Sequence, residues 1–196
     1  RVRIDPRSYE VRFSVIGDAR WITGRPPEPA QARGLCGSAV IDVAAEMLDA
    51  GILEKSGRLC ASHASERLRP SPDGGLEFVI AWADQTAIGK DITVTQQDVR
   101  AIQLAKGALR TGIDLLCLEA GIECPRKILL AGAFGSYIRK KDALTIGMFP
   151  DVSEKDIEVV GNAAGAGAIL TLFDDLFIAQ ANDLRQSTRV LDLASH

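Results

Sequence analysis

The sequence predicts an α/β fold, a mixed sheet with helices, from three observations. In the second half, strand, glycine turn and helix follow one another: residues 127–131 run into Gly132-Ala133-Phe134-Gly135, and residues 157–160 run into Gly161-Asn162 before a helical stretch. The longest helical pattern, residues 96–120, carries Val99, Ile102, Leu109, Ile113 and Leu116 on one stripe and Ala101, Ala105, Ala108 and Gly112 on another, so two of its sides are expected to be covered. Of the 196 residues 46% are hydrophobic and 25% charged, enough for a core without disulfide or metal staples.

Composition also excludes function classes. The 23 basic side chains are scattered among 26 acidic ones, with a formal net charge of −3 and no basic tract, which argues against nucleic acid as a partner. No apolar run approaches the roughly 20 residues of a membrane helix, and no charged-then-apolar signal segment opens the chain. Cys36, Cys60, Cys117 and Cys124 are far apart, form no Cys-x-x-Cys pair, and read as reduced thiols of a cytoplasmic protein. His63 and His196 are too few for a histidine metal site or a Ser-His-Asp triad. The chain opens at Arg1 without a methionine and is expected to be part of something longer.

The elements follow in order. Residues 2–4 and 9–16 form a hairpin around Asp5-Pro6-Arg7-Ser8. Pro26, Pro27 and Pro29 mark a surface connection. Ser38 or Gly37 caps a helix through Ile41, Ala44, Ala45 and Leu48 that stops at Gly51. Residues 54–75 read as a long polar loop, residues 76–82 and 92–94 as strands. Thr95-Gln96-Gln97-Asp98 is a capping box opening the long helix, which ends at Gly121. A short helix lies around residues 142–146, and Asp174-Asp175 reads as the solvated face of the final helix.

Four places could carry chemistry. The turn at Gly132, Ala133, Phe134 and Gly135 lets backbone approach a ligand, although it is not Gly-x-Gly-x-x-Gly; a plain tight turn is the competing reading. Gly165 and Gly167 in Gly161-Asn162-Ala163-Ala164-Gly165-Ala166-Gly167-Ala168 need a reason, either close packing on the sheet or docking of a further helix or ligand. Lys106 and Arg110 form a like-charge pair one turn apart that an anion could answer, or Lys106 snorkels while Asp114 balances Arg110. Gly34-Leu35-Cys36-Gly37-Ser38 presents free amides at a helix start, for an anion or for ordinary capping, and Cys36 has no histidine base beside it in sequence.

Taken together, five blocks resemble a known family: Gly34-Leu35-Cys36-Gly37-Ser38-Ala39-Val40-Ile41-Asp42, residues 92–108, Ala131-Gly132-Ala133-Phe134-Gly135-Ser136-Tyr137, Ile146-Gly147-Met148-Phe149-Pro150, and residues 161–168. They look like the C-terminal region of the reductive activators of corrinoid proteins, which resemble the actin, sugar-kinase and heat-shock chaperone (ASKHA) ATPases. The resemblance implies a ribonuclease H-like, actin-like ATPase lobe, here incomplete, with residues 54–94 as a loop-and-strand insertion and the N-terminal lobe and an iron–sulfur domain upstream. Gly132, Ala133, Phe134 and Gly135 then look like the adenosine motif, Gln103 and Lys106 lie where related ATPases set helix side chains against adenine and ribose, and residues 161–168 look like the connecting helix at the hinge. No catalytic residue and no metal ligand is assigned.

The departures from the pattern are specific. No Asp-x-Gly-Thr phosphate hairpin is present, Ala39 stands where the family often has glycine, and no cysteine set here can hold a cluster. The resemblance implies ATP with Mg²⁺ and a [2Fe-2S] cluster as cofactors of the full-length protein, and a corrinoid protein as partner, with a homodimer left open. The implied function is ATP-coupled electron transfer that returns Co(II) corrinoid to Co(I). A small-molecule kinase or other ATPase on the same fold, or a nonenzymatic dimerisation or docking lobe, are the alternatives. Residues 1–196 alone are expected to hydrolyse ATP weakly or not at all.

Overall fold

The computed structural model describes residues 1–24, 31–60 and 65–192. The connection at Pro26, Pro27 and Pro29 and both histidines, His63 and His196, lie outside the described residues. The chain divides into two units, Arg1–Arg110 with Ile138–Phe149, and Thr111–Tyr137 with Pro150–His196.

The first unit opens with β1 (Val2–Ile4), β2 (Val11–Phe13) and β3 (Ile22–Thr23), an antiparallel sheet in that order. Alternation decides its two faces. Val2 sits opposite Phe13 and Ile4 opposite Val11, all four buried, while Arg12 between them is exposed. The expected turn is held by Asp5, whose Oδ1 accepts from the Arg7 and Ser8 amides at 2.9 and 2.8 Å. The second strand is shorter than expected, three residues instead of residues 9–16.

Helix α1 (Gly37–Asp49) buries Ala39, Val43 and Met47 in the core. Ser38 does not cap it. The helix begins one residue earlier, with Cys36 at the N-cap and no side chain bonding the free amides. Its other end follows the glycine signal: Gly51 has φ +71°, its amide donates to Leu48 O at 3.1 Å, and the Ile52 amide donates to Met47 O at 2.9 Å. This Schellman arrangement satisfies carbonyls that a helix end leaves free, and buried Ile52 and Met47 complete it.

The polar stretch expected as one loop contains a strand. β4 (Leu68–Pro70) pairs with β5 (Leu76–Ala81), which pairs with β6 (Ile92–Thr95), all antiparallel. The Asp73-Gly74-Gly75 cluster is the hairpin turn between β4 and β5, with φ +92° and +78° at its two glycines and the Ser71 amide donating to Gly75 O at 3.0 Å. Pro70 can stand in β4 because that strand is an edge. β5 is the central strand and is buried on both faces. Phe78 and Ile80 enter the main core, and Glu77 is buried by pairing with Arg69 at 2.8 Å.

Helix α2 (Gln96–Glu119) starts on the predicted box: the Asp98 amide donates to Thr95 Oγ1 at 3.1 Å, and the Thr95 amide donates to Asp98 Oδ2 at 2.8 Å. Two glutamines of this helix clamp the turn before β4. Gln96 accepts from the Leu59 amide and donates to Gly57 O, and Gln103 donates to Ser56 O at 3.1 Å. Gly57 has φ +84°, and a Cβ there would stand 2.1 Å from Gln103 Nε2. The helix stops at Gly121, φ +65°, in the same arrangement as α1, with the Ile122 amide donating to Cys117 O. Its two stripes are not both covered among the described residues. Val99 is buried, but Leu109 and Leu116 are 45% and 59% exposed, and Ala101, Ala105 and Ala108 are exposed. A periodic pattern reports the surface a helix offers, not what lies against it.

The second unit holds β7 (Ile128–Ala131) and α3 (Gly132–Tyr137). The chain then returns to the first unit for α4 (Lys140–Thr145), which ends at Gly147, φ +70°, with the Met148 amide donating to Ala143 O. Back in the second unit follow β8 (Ile157–Gly161), α5 (Ala163–Phe173) and α6 (Asp175–Ser187). β7 and β8 pair in parallel, joined by a long connection that carries helices, as parallel strands require. β7 is not the buried strand its apolar sequence suggests, since Leu129 is 59% exposed. Asp174 is also placed differently from its reading as a solvated face within a helix. Its backbone is extended, it ends α5, and its Oδ1 accepts from the Leu176 amide at 2.9 Å, so it caps α6.

Thr95→Ala removes both side-chain contacts of the capping box and is expected to lower stability by about 1 kcal/mol in urea unfolding. Gly57→Ala combines a left-handed backbone position with the Gln103 overlap and is expected to cost about 1–2 kcal/mol, less in a Gln103→Ala background than in the parent; equal costs in both would remove Gln103 from the explanation.

Candidate functional site

The parallel pair fixes where backbone is open to a ligand. At its carboxyl end Ala131 lies opposite Gly161 after a register shift, and both strands leave through a glycine with positive φ: +86° at Gly132 and +66° at Gly161. Helices begin directly after them, α3 from Gly132 and α5 from its cap, Asn162. The carboxyl ends of parallel strands are where open α/β sheets place ligands. Gly132 has no atom within 4 Å of where a Cβ would stand, so its side is free for close approach. Gly135 is different. A Cβ there would meet Leu130 at 3.2 Å, so this glycine is buried to let α3 lie on the end of β7. Ala133 is exposed, and Phe134 is 54% exposed.

Gly165 and Gly167 also separate. Asn162 Oδ1 accepts from the Gly165 amide at 3.0 Å, and a Cβ on Gly165 would fall 2.4 Å from the Asn162 amide nitrogen. The cap explains that glycine. Gly167 has open space, and α5 buries none of its residues among those described. The capping role of Asn162 escaped the sequence reading, although asparagine before an apolar helix is the usual signal for it.

Helix α2 supplies the other two sequence-predicted residues, Gln103 and Lys106, which lie in the first unit while residues 132–135 lie in the second. The Lys106 ammonium donates to Ile146 O at 2.6 Å, and Arg110 donates to Phe149 O at 3.0 Å. Backbone carbonyls therefore answer the like-charge pair. Ile146 is the C-cap of α4, an end where a helix favours a cation. One hydrogen bond leaves Lys106 two further N–H donors, and Gln103 keeps its carbonyl oxygen after bonding Ser56 O.

The start of α1 has its amides uncapped by side chains, and Cys36 Sγ lies 3.4 Å from Ser38 Oγ. Burial pushes the Cys36 thiol up, while hydrogen bonding from Ser38 and the Ala39 amide pulls it down to a net value below the ordinary range. The four cysteines do not suit an iron–sulfur cluster: Cys117 is buried, Cys124 exposed, and among the described residues no group of three or more His, Cys, Asp or Glu side chains is placed to hold a metal ion. Nor is any helix among those residues long and apolar enough to cross a membrane.

Comparison with known proteins places this geometry. The family described as the C-terminal domain of RACo, the ASKHA domain, matches residues 1–196. The chain is 34% identical over 194 residues to the corrinoid activation enzyme RamQ of Eubacterium limosum, covering 95% of this chain and 31% of that protein. It is 28% identical over 130 residues to a [Co(II) methylated amine-specific corrinoid protein] reductase of Methanosarcina barkeri, covering 65% of this chain and 20% of that protein. A solved reductive activator for corrinoid, iron-sulfur protein matches 100% of this chain and 30% of its own, with a TM-score of 0.81 and 32% identity. The chain thus spans about a third or less of the relatives it matches. Matched along its whole length and in its fold, the chain belongs to the family of the RACo C-terminal ASKHA domain.

Proposed function

We propose that this chain is the C-terminal nucleotide-binding part of an ATP-dependent reductive activator, which couples ATP to electron transfer from a [2Fe-2S] domain and returns Co(II) corrinoid to Co(I). Membership of the family over residues 1–196 carries the reading, and the names of the relatives give its direction. The corrinoid protein is the partner, and the iron–sulfur domain and N-terminal lobe are assigned to the part of the relatives that this chain does not match. Within the chain, residues 54–94 are assigned as a loop-and-strand insertion. The need for a nucleotide is thermodynamic: a cofactor that prefers one conformational state of the activator can shift an otherwise unfavourable equilibrium by its difference in affinity.

Gly132, Ala133, Phe134 and Gly135 are assigned to adenosine. The open side of Gly132 and the exposed Phe134 ring support that assignment. Gln103 and Lys106 are assigned to the base and ribose through the hydrogen-bonding capacity that their contacts to Ser56 O and Ile146 O leave free. Mg²⁺, and the groups that handle the phosphates, are assigned to none of these residues, and no catalytic role is given to any side chain here.

Calorimetric titration of the intact protein with ATP tests the two assignments separately. Ala133→Trp and Lys106→Ala are each expected to weaken ATP binding about tenfold, equivalent to about 1.4 kcal/mol. Unchanged affinity in either variant removes the corresponding residue from the site. Corrinoid reduction that proceeds equally well without ATP would sink the activator reading itself.

A further inference from the structure

The turn at residues 54–58 and the start of α2 border a polar trough of about 340 Å³, lined by Ser56, Gly57, Arg58, Gln96, Arg100 and Gln103, a size that admits a small ligand. All six residues belong to the first unit. Its two glutamines differ in what their contacts leave over. Gln96 is committed to the turn through both ends of its amide: Oε1 accepts from the Leu59 amide at 2.9 Å, and Nε2 donates to Gly57 O at 2.7 Å. Gln103 makes a single side-chain bond among the described residues, from Nε2 to Ser56 O at 3.1 Å, and its Oε1 accepts none there. Arg58 and Arg100 form no side-chain hydrogen bond or ion pair among those residues, and an unpaired guanidinium stacks readily on a flat aromatic ring.

The one bond of Gln103 decides which end of its amide is left for a ligand. Turning the amide over would set Oε1 against Ser56 O, acceptor against acceptor, and forfeit the bond. Gly57 permits so close a seat, because a Cβ there would stand 2.1 Å from Nε2 and 2.6 Å from Oε1. The partner is a backbone carbonyl of the turn, so the orientation is built into the fold of residues 54–58. Lys106 lies one turn further along α2, and a narrower cleft lined by Lys106 shares Gly57 and Gln103 with the trough.

We propose that Gln103 Oε1 is the acceptor that sets base specificity: it selects adenine, which presents an exocyclic amine, over purines that carry an oxygen at the same place. The inference rests on the assignment of Gln103 to the base and names what that contact reads. Adenine offers Oε1 an N–H donor, whereas guanine and hypoxanthine offer a carbonyl oxygen. The amine completes a hydrogen bond; the oxygen meets a second acceptor and leaves both unpaired. A freely turning amide would serve either base, by presenting its nitrogen to the oxygen. An amide held by Ser56 O gives up that bond to do so. With the ribose held by Lys106, the base does not slide along the amide to find another pairing.

Calorimetric titration of the intact protein with ATP and with inosine triphosphate, whose base carries an oxygen in place of the amine, tests the inference. The unsubstituted protein is expected to bind ATP about tenfold or more tightly than inosine triphosphate. Gln103→Leu keeps the bulk of the side chain without its hydrogen bonds, and is expected to bring the two affinities within about twofold of one another, chiefly by weakening ATP. Gly57→Ala, which pushes the Gln103 amide out of its seat, is expected to shrink the ratio in the same direction and serves should the first variant fail to fold. A side chain that only held the turn would weaken both nucleotides together and leave their ratio unchanged. Equal affinity for the two nucleotides in the unsubstituted protein overturns the proposal while leaving the nucleotide site standing, and so does a preference for ATP that survives both substitutions. Binding of neither nucleotide overturns the assignment of the site, and the proposal with it.

Discussion

The constraint on which the rest depends is the return of Ile138–Phe149 to the first unit. The chain leaves that unit in the middle of α2, builds β7 and α3, and comes back only for this short segment before leaving again. The return is brief but apolar, burying Ile138, Ala143, Ile146, Met148 and Phe149, and polar contacts to backbone add to its hold. Lys106 and Arg110 supply them, one helical turn apart on α2 and directed at two carbonyls three residues apart in the segment. Their cost as a like-charge pair is offset because each lies against the negative end of a carbonyl dipole.

This placement changes how the basic pair on α2 is understood. In sequence, Lys106 and Arg110 invite an anion. In the folded chain their first partners are structural, and any contact with a nucleotide uses the hydrogen-bonding capacity left over. The same holds for Gln103, whose amide first secures the Gly57 turn. Gln103 and Lys106 are both held by these backbone contacts, and hydrogen bonds of that kind fix a rotamer. Gly132 and Gly135 divide the labour differently: one leaves room outside, the other closes α3 onto β7.

What was legible in the sequence was local and stereochemical. Gly51 and Gly121 were readable as helix stops because only glycine takes the left-handed position cheaply, and Thr95 with Asp98 because their bonds span three residues. What was not legible depended on partners distant in sequence. β4 is defined by its pairing with β5, and its polar and proline content concealed it. The burial of Asp42 and Asp142 is invisible to a helical pattern, since each is one acid on a helix until β1, α1 and α4 come together. The turn at Gly132 was recognisable as a strand, glycine and helix in order, but the adenosine role proposed for it came from resemblance, because backbone open to a ligand has no side-chain signature.

The parallel pairing of β7 with β8 has a consequence for the order in which the molecule assembles. The connection between these strands runs through a segment that belongs to the other unit, so closing it as a free loop costs entropy that grows, slowly, with its length. Once α4 is seated on α1, the span still to be closed shortens to the residues on either side of it. The hairpins of the first unit are local contacts, whereas β7 and β8 pair across that long connection, and local contacts close at lower entropic cost. Leu129 of β7 and Ile169, Leu172 and Phe173 of α5 stay exposed among the described residues even after that pairing, so the last third of the chain carries apolar surface throughout.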